Sequence, residues 1–229
     1  MLTESAFSDA PYEPWFGRAA GKEPVRGAHA LGSAFELMGS LQSFRRNAEI
    51  YGESEPADYF YTVVSGTVRA YKVLVDGRRQ IGAFYLPGDT FGLEAGDEHL
   101  FSAEAVIDAN VLVIKRNIVI ALAARNSEVA RELWMLTRRE LRRAQNHLLL
   151  LNKSAEERVA SFLLEMAERQ CTDEVHLTMS RQDVADYLGL TIETVSRMLT
   201  RFENESTIAL PACKRIMLRN RRVLNRLLA

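Results

Sequence analysis

The sequence predicts an α+β chain of two domains: an N-terminal β-roll, a long helix, and a C-terminal winged helix-turn-helix. Three observations predict it. Short segments rich in Val, Ile, Tyr and Phe alternate with turn signals across residues 44–115. From Asn117 the apolar pattern becomes helical. Residues 180–202 read SRQDVADYLGLTIETVSRMLTRF, two amphipathic helices joined at a glycine turn. The boundaries read as 1–30 for an irregular extension, 31–125 for the roll, 126–152 for the long helix and 153–229 for the winged unit.

The extension carries Pro11, Pro14 and Pro24, and Trp15 and Phe16 are expected to tuck against the next domain. In the roll, 59–64 reads as a strand closed by Ser65-Gly66, and 68–75 as a strand ending at Asp76-Gly77. Asp-Gly between apolar runs is a strong hairpin signal, because both residues tolerate positive φ. Strands at 81–86, 103–107 and 111–114 complete the set, with Pro87-Gly88-Asp89 as a turn.

On the long helix, Val129, Leu133, Leu136, Ala144, Leu148 and Leu151 recur as one stripe, broken by Glu140. The stripe is expected to form a two-chain coiled coil; the alternative is a helix packed only on its own domain. A second helix is expected over 155–169, with Val159, Phe162, Leu163 and Met166 inward.

In the 180–202 segment, Ser180 and Asp183 have capping-box spacing. Gly189 sits where the tight turn needs a left-handed backbone. Val184, Leu188, Leu190, Val195, Met198 and Leu199 supply the core, Ala185 the helix crossing, and Thr191 the second cap. In such a motif the start of the second helix enters the major groove. The exposed positions there are Ile192, Glu193, Ser196 and Arg197. Arginine can bridge O6 and N7 of guanine, and glutamate can accept from the cytosine amine. Glu193 and Arg197 are also spaced for a surface ion pair, which is compatible with base reading. Arg181, Arg201, Lys214 and Arg215 suit phosphates better than bases, and Ser180, Thr191 and Thr194 are grouped with them. Strands at 208–210 and 215–218 around Pro211-Ala212-Cys213-Lys214 make a wing, and a short helix over 221–228 ends the chain.

Charge agrees with this division. The net charge is −1, but residues 1–125 hold 12 Lys/Arg against 16 Asp/Glu, and residues 177–229 hold 9 against 5. Basic charge collects where phosphate would be met. The two cysteines, Cys171 and Cys213, form no Cys-x-x-Cys pair. No metal is expected, because His29, His99, His147 and His176 show no ligand spacing. No signal-peptide core or membrane-length apolar run is present, so a cytoplasmic location is expected. Without a Ser/His/Asp constellation or a Gly-rich phosphate loop, an enzyme is not expected.

In its order of parts the chain resembles the CRP/FNR superfamily of bacterial regulators over residues 30–229. The markers are Val64-Ser65-Gly66-Thr67-Val68, Leu86-Pro87-Gly88-Asp89 with Phe91-Gly92, and the 180–197 segment. Glu193-Thr194-Val195-Ser196-Arg197 is similar to the recognition helix of the FNR branch. Residues 15–40 and 91–97 look most like the FixK regulators of nitrogen-fixing and related bacteria. The resemblance implies a cyclic-nucleotide-binding-like roll and a homodimer held by the long helix. It also implies double-stranded DNA carrying a palindrome close to TTGAT-N4-ATCAA as partner, and activation through RNA polymerase. Arg197 would meet the half-site guanine, and Glu193 its paired cytosine.

Two departures bear on cofactors. Where cyclic-AMP-binding relatives carry an Arg-Ser pair, this chain has Phe101-Ser102, with Asp97 and Glu98 nearby, a setting hostile to an anion. Where oxygen-sensing relatives hold an iron–sulfur cluster on cysteines of the N-terminal domain, this chain has no cysteine before Cys171. No cofactor is therefore expected. Cys213, beside Lys214 and Arg215, is a candidate redox switch. The alternative to a ligand-independent regulator is a ligand-gated one whose roll binds an unidentified small molecule.

Overall fold

The computed structural model describes residues 31–32 and 37–228. The expectations for residues 1–30 lie outside the described residues. The roll is one antiparallel sheet built from β1 (Ser40–Phe44), β2 (Glu49–Tyr51), β3 (Tyr59–Val73), β4 (Arg79–Tyr85), β5 (Thr90–Phe91) and β6 (Ser102–Lys115). The strand order is β1-β6-β3-β4, with β2 added to β6 and β5 to β3. The hairpin at Asp76-Gly77 forms as expected, with Gly77 at φ +81°.

Two pairs of expected strands are single strands. Ser65-Gly66 does not end a strand: β3 runs through it, and its register against β6 shifts between Val63 and Val68. Gly66 is at φ +86°, and a Cβ there would lie 2.4 Å from the Asp108 carbonyl oxygen. The glycine thus marks a bulge with close backbone approach. The segments 103–107 and 111–114 likewise belong to the continuous β6.

The roll interior is aromatic. Tyr61 stacks on Phe91 with centroids 5.1 Å apart, Tyr85 on Phe91 at 4.8 Å, and Tyr51 on His99 at 3.5 Å. All five rings are buried. Burial pushes the Tyr51 and Tyr85 hydroxyls well above their ordinary pKa.

Helix α1 (Arg116–Ala123) leads into the long α2 (Ser127–Leu150), capped by the Asn126 side chain, which accepts from the Glu128 and Val129 amides. The sequence stripe splits here. Val129, Leu133 and Leu136 pack with Phe60, Leu112, Ile114 and Val119 of the same chain. Val129 is buried there and Leu133 and Leu136 are half-buried, so the roll takes up part of the stripe that the sequence assigns to the seam.

Helix α3 (Ala155–Gln170) opens with a reciprocal capping box between Ser154 and Glu157. Arg158 fastens the bend before it: its guanidinium donates to the carbonyls of Lys153 at 2.8 Å, Leu151 at 2.7 Å and Leu188 at 2.9 Å. The helices α4 (Arg181–Leu188) and α5 (Ile192–Asn204) follow. A three-stranded sheet of order β7-β9-β8 forms from β7 (Glu174–His176), β8 (Ile208–Ala212) and β9 (Arg215–Leu218), and α6 (Arg221–Arg226) ends the fold. Strand β7 is not evident in the sequence pattern. Phe162, Leu163, Met166, Leu188, Phe202, Ile208, Ile216 and Leu224 are fully buried at the centre of this unit. The same cluster takes in Ile81, Phe84 and Val106 from the roll, so the two domains share a core.

Candidate nucleic-acid interface

The outward face of the C-terminal unit is built locally, turn by turn. Ser180 and Asp183 form the capping box that starts α4: the Asp183 amide donates to the Ser180 hydroxyl at 3.0 Å, and the Ser180 amide donates back to the Asp183 carboxylate at 3.0 Å. Gly189 ends α4 at φ +61°. Thr191 then caps α5 by accepting from the Thr194 amide at 3.2 Å. Val195, Leu199 and Phe202 turn inward, which fixes the opposite face of α5 outward.

On that face Glu193 and Arg197 are exposed, and Ser196 is half-buried. Ile192 is also half-buried and packs against the core, so less of it is free to meet a base than the sequence suggests. The Arg197 guanidinium donates to the Thr194 hydroxyl at 3.3 Å, and among the described salt bridges none joins it to Glu193. The Glu193 carboxyl is held below the usual carboxylate range, first by its own backbone N–H, then by the Thr191 hydroxyl, with Arg197 adding to the effect. It is therefore an acceptor at neutral pH, the form that suits an amine donor.

The expected phosphate-facing residues fall into two groups. Ser180, Arg181 and Lys214 meet, with the redox candidate Cys213, around one 160 Å³ cleft, which joins the start of α4 to the wing turn. Lys214 donates to the Thr178 carbonyl at 3.1 Å. The second group is already engaged: Arg201 pairs with Glu156 and Glu205, each at 2.9 Å, and Arg215 pairs with Glu174. Thr191 and Thr194 are occupied in the α5 cap. Cys213 is a free, exposed thiol at the wing tip. The pairing of Arg215 with Glu174 reduces the positive field that the sequence suggests around it.

The sequence reading found only part of one surface, naming Ala144 and Leu148 but not Trp134, Thr137 or Leu141. Trp134, Leu141 and Leu148 are 62%, 59% and 65% exposed on α2. They are spaced by seven, and Thr137 and Ala144, also exposed, alternate with them. This is the a/d pattern of a coiled-coil seam. The seven-residue spacing was present in the sequence, but the apolar residues that pack on the roll mask it.

A six-stranded roll joined by a long helix to a winged helix-turn-helix with an open recognition face defines a DNA-binding regulator. The chain belongs to the CRP/FNR family of transcription regulators. Residues 157–227 match the Crp-like helix-turn-helix domain, and residues 41–126 match the cyclic nucleotide-binding domain. The chain is 52% identical over 197 residues to the nitrogen fixation regulation protein FixK of Azorhizobium caulinodans, across 83% of this chain and 79% of that protein. It is 44% identical to FixK of Rhizobium meliloti, across 74% of this chain and 78% of that one. Among solved structures it is similar to FixK2 from Bradyrhizobium japonicum, with a TM-score of 0.80 and 51% identity, across 83% of this chain and 98% of that chain. Within the family the chain is FixK-like.

Proposed function

We propose that this protein is a cytoplasmic transcription activator. In this reading it binds as a homodimer to a TTGAT-N4-ATCAA-like palindrome and acts through RNA polymerase, on genes of low-oxygen respiration or nitrogen fixation. The observation that carries the DNA reading is the outward pair Glu193 and Arg197 at the start of α5, one an ionised acceptor and the other a forked donor. Together they suit a C·G base pair. Arg181 and Lys214 flank them for phosphates, and Ser180, Thr191 and Thr194 support the two helix starts. Arg201 and Arg215 would exchange their carboxylate partners for phosphates.

The dimer seam proposed here runs through Trp134, Thr137, Leu141, Ala144, Leu148 and Leu151. An apolar heptad face left open by its own chain supports it. The seam keeps Ala144, Leu148 and Leu151 from the sequence reading.

The reading needs neither cyclic AMP nor an iron–sulfur cluster. Tyr51, Tyr61, Tyr85, Phe91 and His99 fill the roll interior with stacked rings, and Phe101 packs against that core. A ligand-gated regulator is the second reading. A cavity of 820 Å³ between the 86–89 turn, α2 and α3, lined by Arg142, Arg143, Lys153 and Arg169 among others, favours it.

The test is an anisotropy titration of reduced protein on the palindromic duplex without added ligand. Tight binding that prefers the palindrome over random duplex supports the first reading. Binding only after a small anion is added supports the second. Loss of binding on mild oxidation, restored by reductant and abolished by Cys213→Ser, assigns a redox role to Cys213. Size-exclusion chromatography of a Trp134→Glu/Leu141→Glu variant tests the seam: monomers are expected, and persistent dimers rule it out.

A further inference from the structure

Helix α4 is bound to the roll by a charge network that reaches across the domain boundary. Arg69 on β3 donates to Glu104 at 2.7 Å and to Asp183 at 2.9 Å. Arg79 on β4 donates to the same Asp183 oxygen at 2.6 Å and to Asp186 at 2.8 Å. Gln80 adds a bond to the Asp186 carbonyl at 2.8 Å, and the Thr178 hydroxyl donates to that of Thr67 at 2.9 Å. Phe84 and Tyr187 seal the edge, with ring centroids 5.3 Å apart.

The oxygens are divided by task. Asp183 uses Oδ2 for the Ser180 cap and gives Oδ1 to the two arginines. One carboxylate therefore sets where the first helix of the motif begins and where that helix sits on the roll. The Asp186 carboxylate does the same by side: Oδ1 accepts from Gln182 on its own helix, and Oδ2 accepts from Arg79. In this docked pose Glu193 and Arg197 remain exposed, so docking leaves the reading face open. It also neutralises two carboxylates on the helix whose first residues, Ser180 and Arg181, are proposed to face phosphate.

We propose that Arg69 and Arg79 of the roll are positioning residues for DNA recognition: through Asp183 and Asp186 they hold α4, and with it the recognition helix, in the DNA-competent orientation. Neither arginine touches DNA. The roll thus serves binding as a rigid mount whether or not it takes a ligand. This inference rests on the proposed DNA-binding face.

The test uses the full chain with Arg79→Glu, the milder Arg79→Gln, and the charge swap Arg79→Glu/Asp186→Arg. Two quantities are read: affinity for palindromic and random duplexes at one salt concentration, and hydrogen exchange of the α4 amides without DNA. Arg79→Glu is expected to speed exchange in α4 and to weaken palindrome binding by roughly tenfold, within the usual range of intersite coupling. Random-duplex binding should change less, and the swap should restore both readouts in part, because the exchanged charges at 79 and 186 pair again while the new acid still faces Asp183. If Arg79→Glu does not fold, Arg79→Gln is expected to show the same pattern at smaller size. Faster exchange with native or tighter palindrome binding overturns the proposal, as does a swap that restores neither readout. Native protein that ignores the palindrome overturns the operator reading alone; the variant-to-native ratio on the duplex it does bind then judges the positioning role.

Discussion

The two helices of the DNA-binding motif carry their charges in opposite ways. On α4, Asp183 and Asp186 face inward, and their carboxylates are matched by Arg69 and Arg79 of the roll. On α5, Glu193 and Arg197 face solvent, and the nearest partner of Arg197 is a neutral hydroxyl at 3.3 Å. Buried charges tolerate little displacement, because separation leaves them unpaired in a medium that solvates them poorly. Exposed charges can change partners at small cost, because water solvates them in any arrangement. The rear helix therefore fixes a pose, and the front helix keeps its donors and acceptors available.

The strongest way to break this contrast is to remove a buried cation. Arg69→Ala is expected to destabilise the protein by about 3–5 kcal/mol, the usual cost of leaving a buried ionic partner alone. Urea unfolding measures it, and a variant as stable as native would mean that water already reaches the network. The same experiment on the front helix should give a different result. Arg197→Ala is expected to leave the unfolding midpoint unchanged while costing roughly 1–3 kcal/mol of binding at the palindrome, with preference relaxed at one base pair. Equal losses on palindromic and random DNA would remove Arg197 from base reading.

Strong acid should loosen the rear helix from the roll. Burial by itself would raise the pKa of Asp183, but the Ser180 hydroxyl and amide, with Arg69 and Arg79, outweigh it and hold the carboxyl below the ordinary value of 3.8. A depressed folded-state pKa contributes stability above 3.8 and loses it as pH falls through the lower folded value. The protection factors of the α4 amides, which correct for the intrinsic pH dependence of exchange, are thus expected to hold down to about pH 4 and to fall below it. Loss of protection near neutral pH would point to a different titrating group. The smallest effect is expected at Arg201, which is itself exposed and pairs with exposed Glu205 and half-buried Glu156. Arg201→Ala should leave stability unchanged, weaken binding alike on all sequences, and lower the salt slope by about one.

The winged helix-turn-helix was legible because its determinants lie close in sequence. Ser180 caps with Asp183, Gly189 takes the left-handed turn, and Thr191 caps α5, each within one helical turn of what it controls. The roll was legible as a class but not in its details. Whether Ser65-Gly66 ends a strand or bulges within one depends on the Asp108 carbonyl beside it, on a strand far along the chain. The long helix shows both cases. Its existence followed from periodicity, but two apolar stripes wind along it, and only the packed structure shows that Val129, Leu133 and Leu136 are used by the roll while Trp134, Leu141 and Leu148 are left open.

The sequence by itself determined the class of protein and the order of its parts, because helix periodicity, caps and turns are local consequences of side-chain shape and hydrogen bonding. Only the tertiary structure decided which side of the long helix remains open and what holds the DNA-reading unit in place. Arg69 and Asp183 are 114 positions apart, and Arg79 and Asp183 are 104. Nothing in local patterning marks such pairs, because a charge on a strand or helix looks the same in sequence whether water or another domain will cover it.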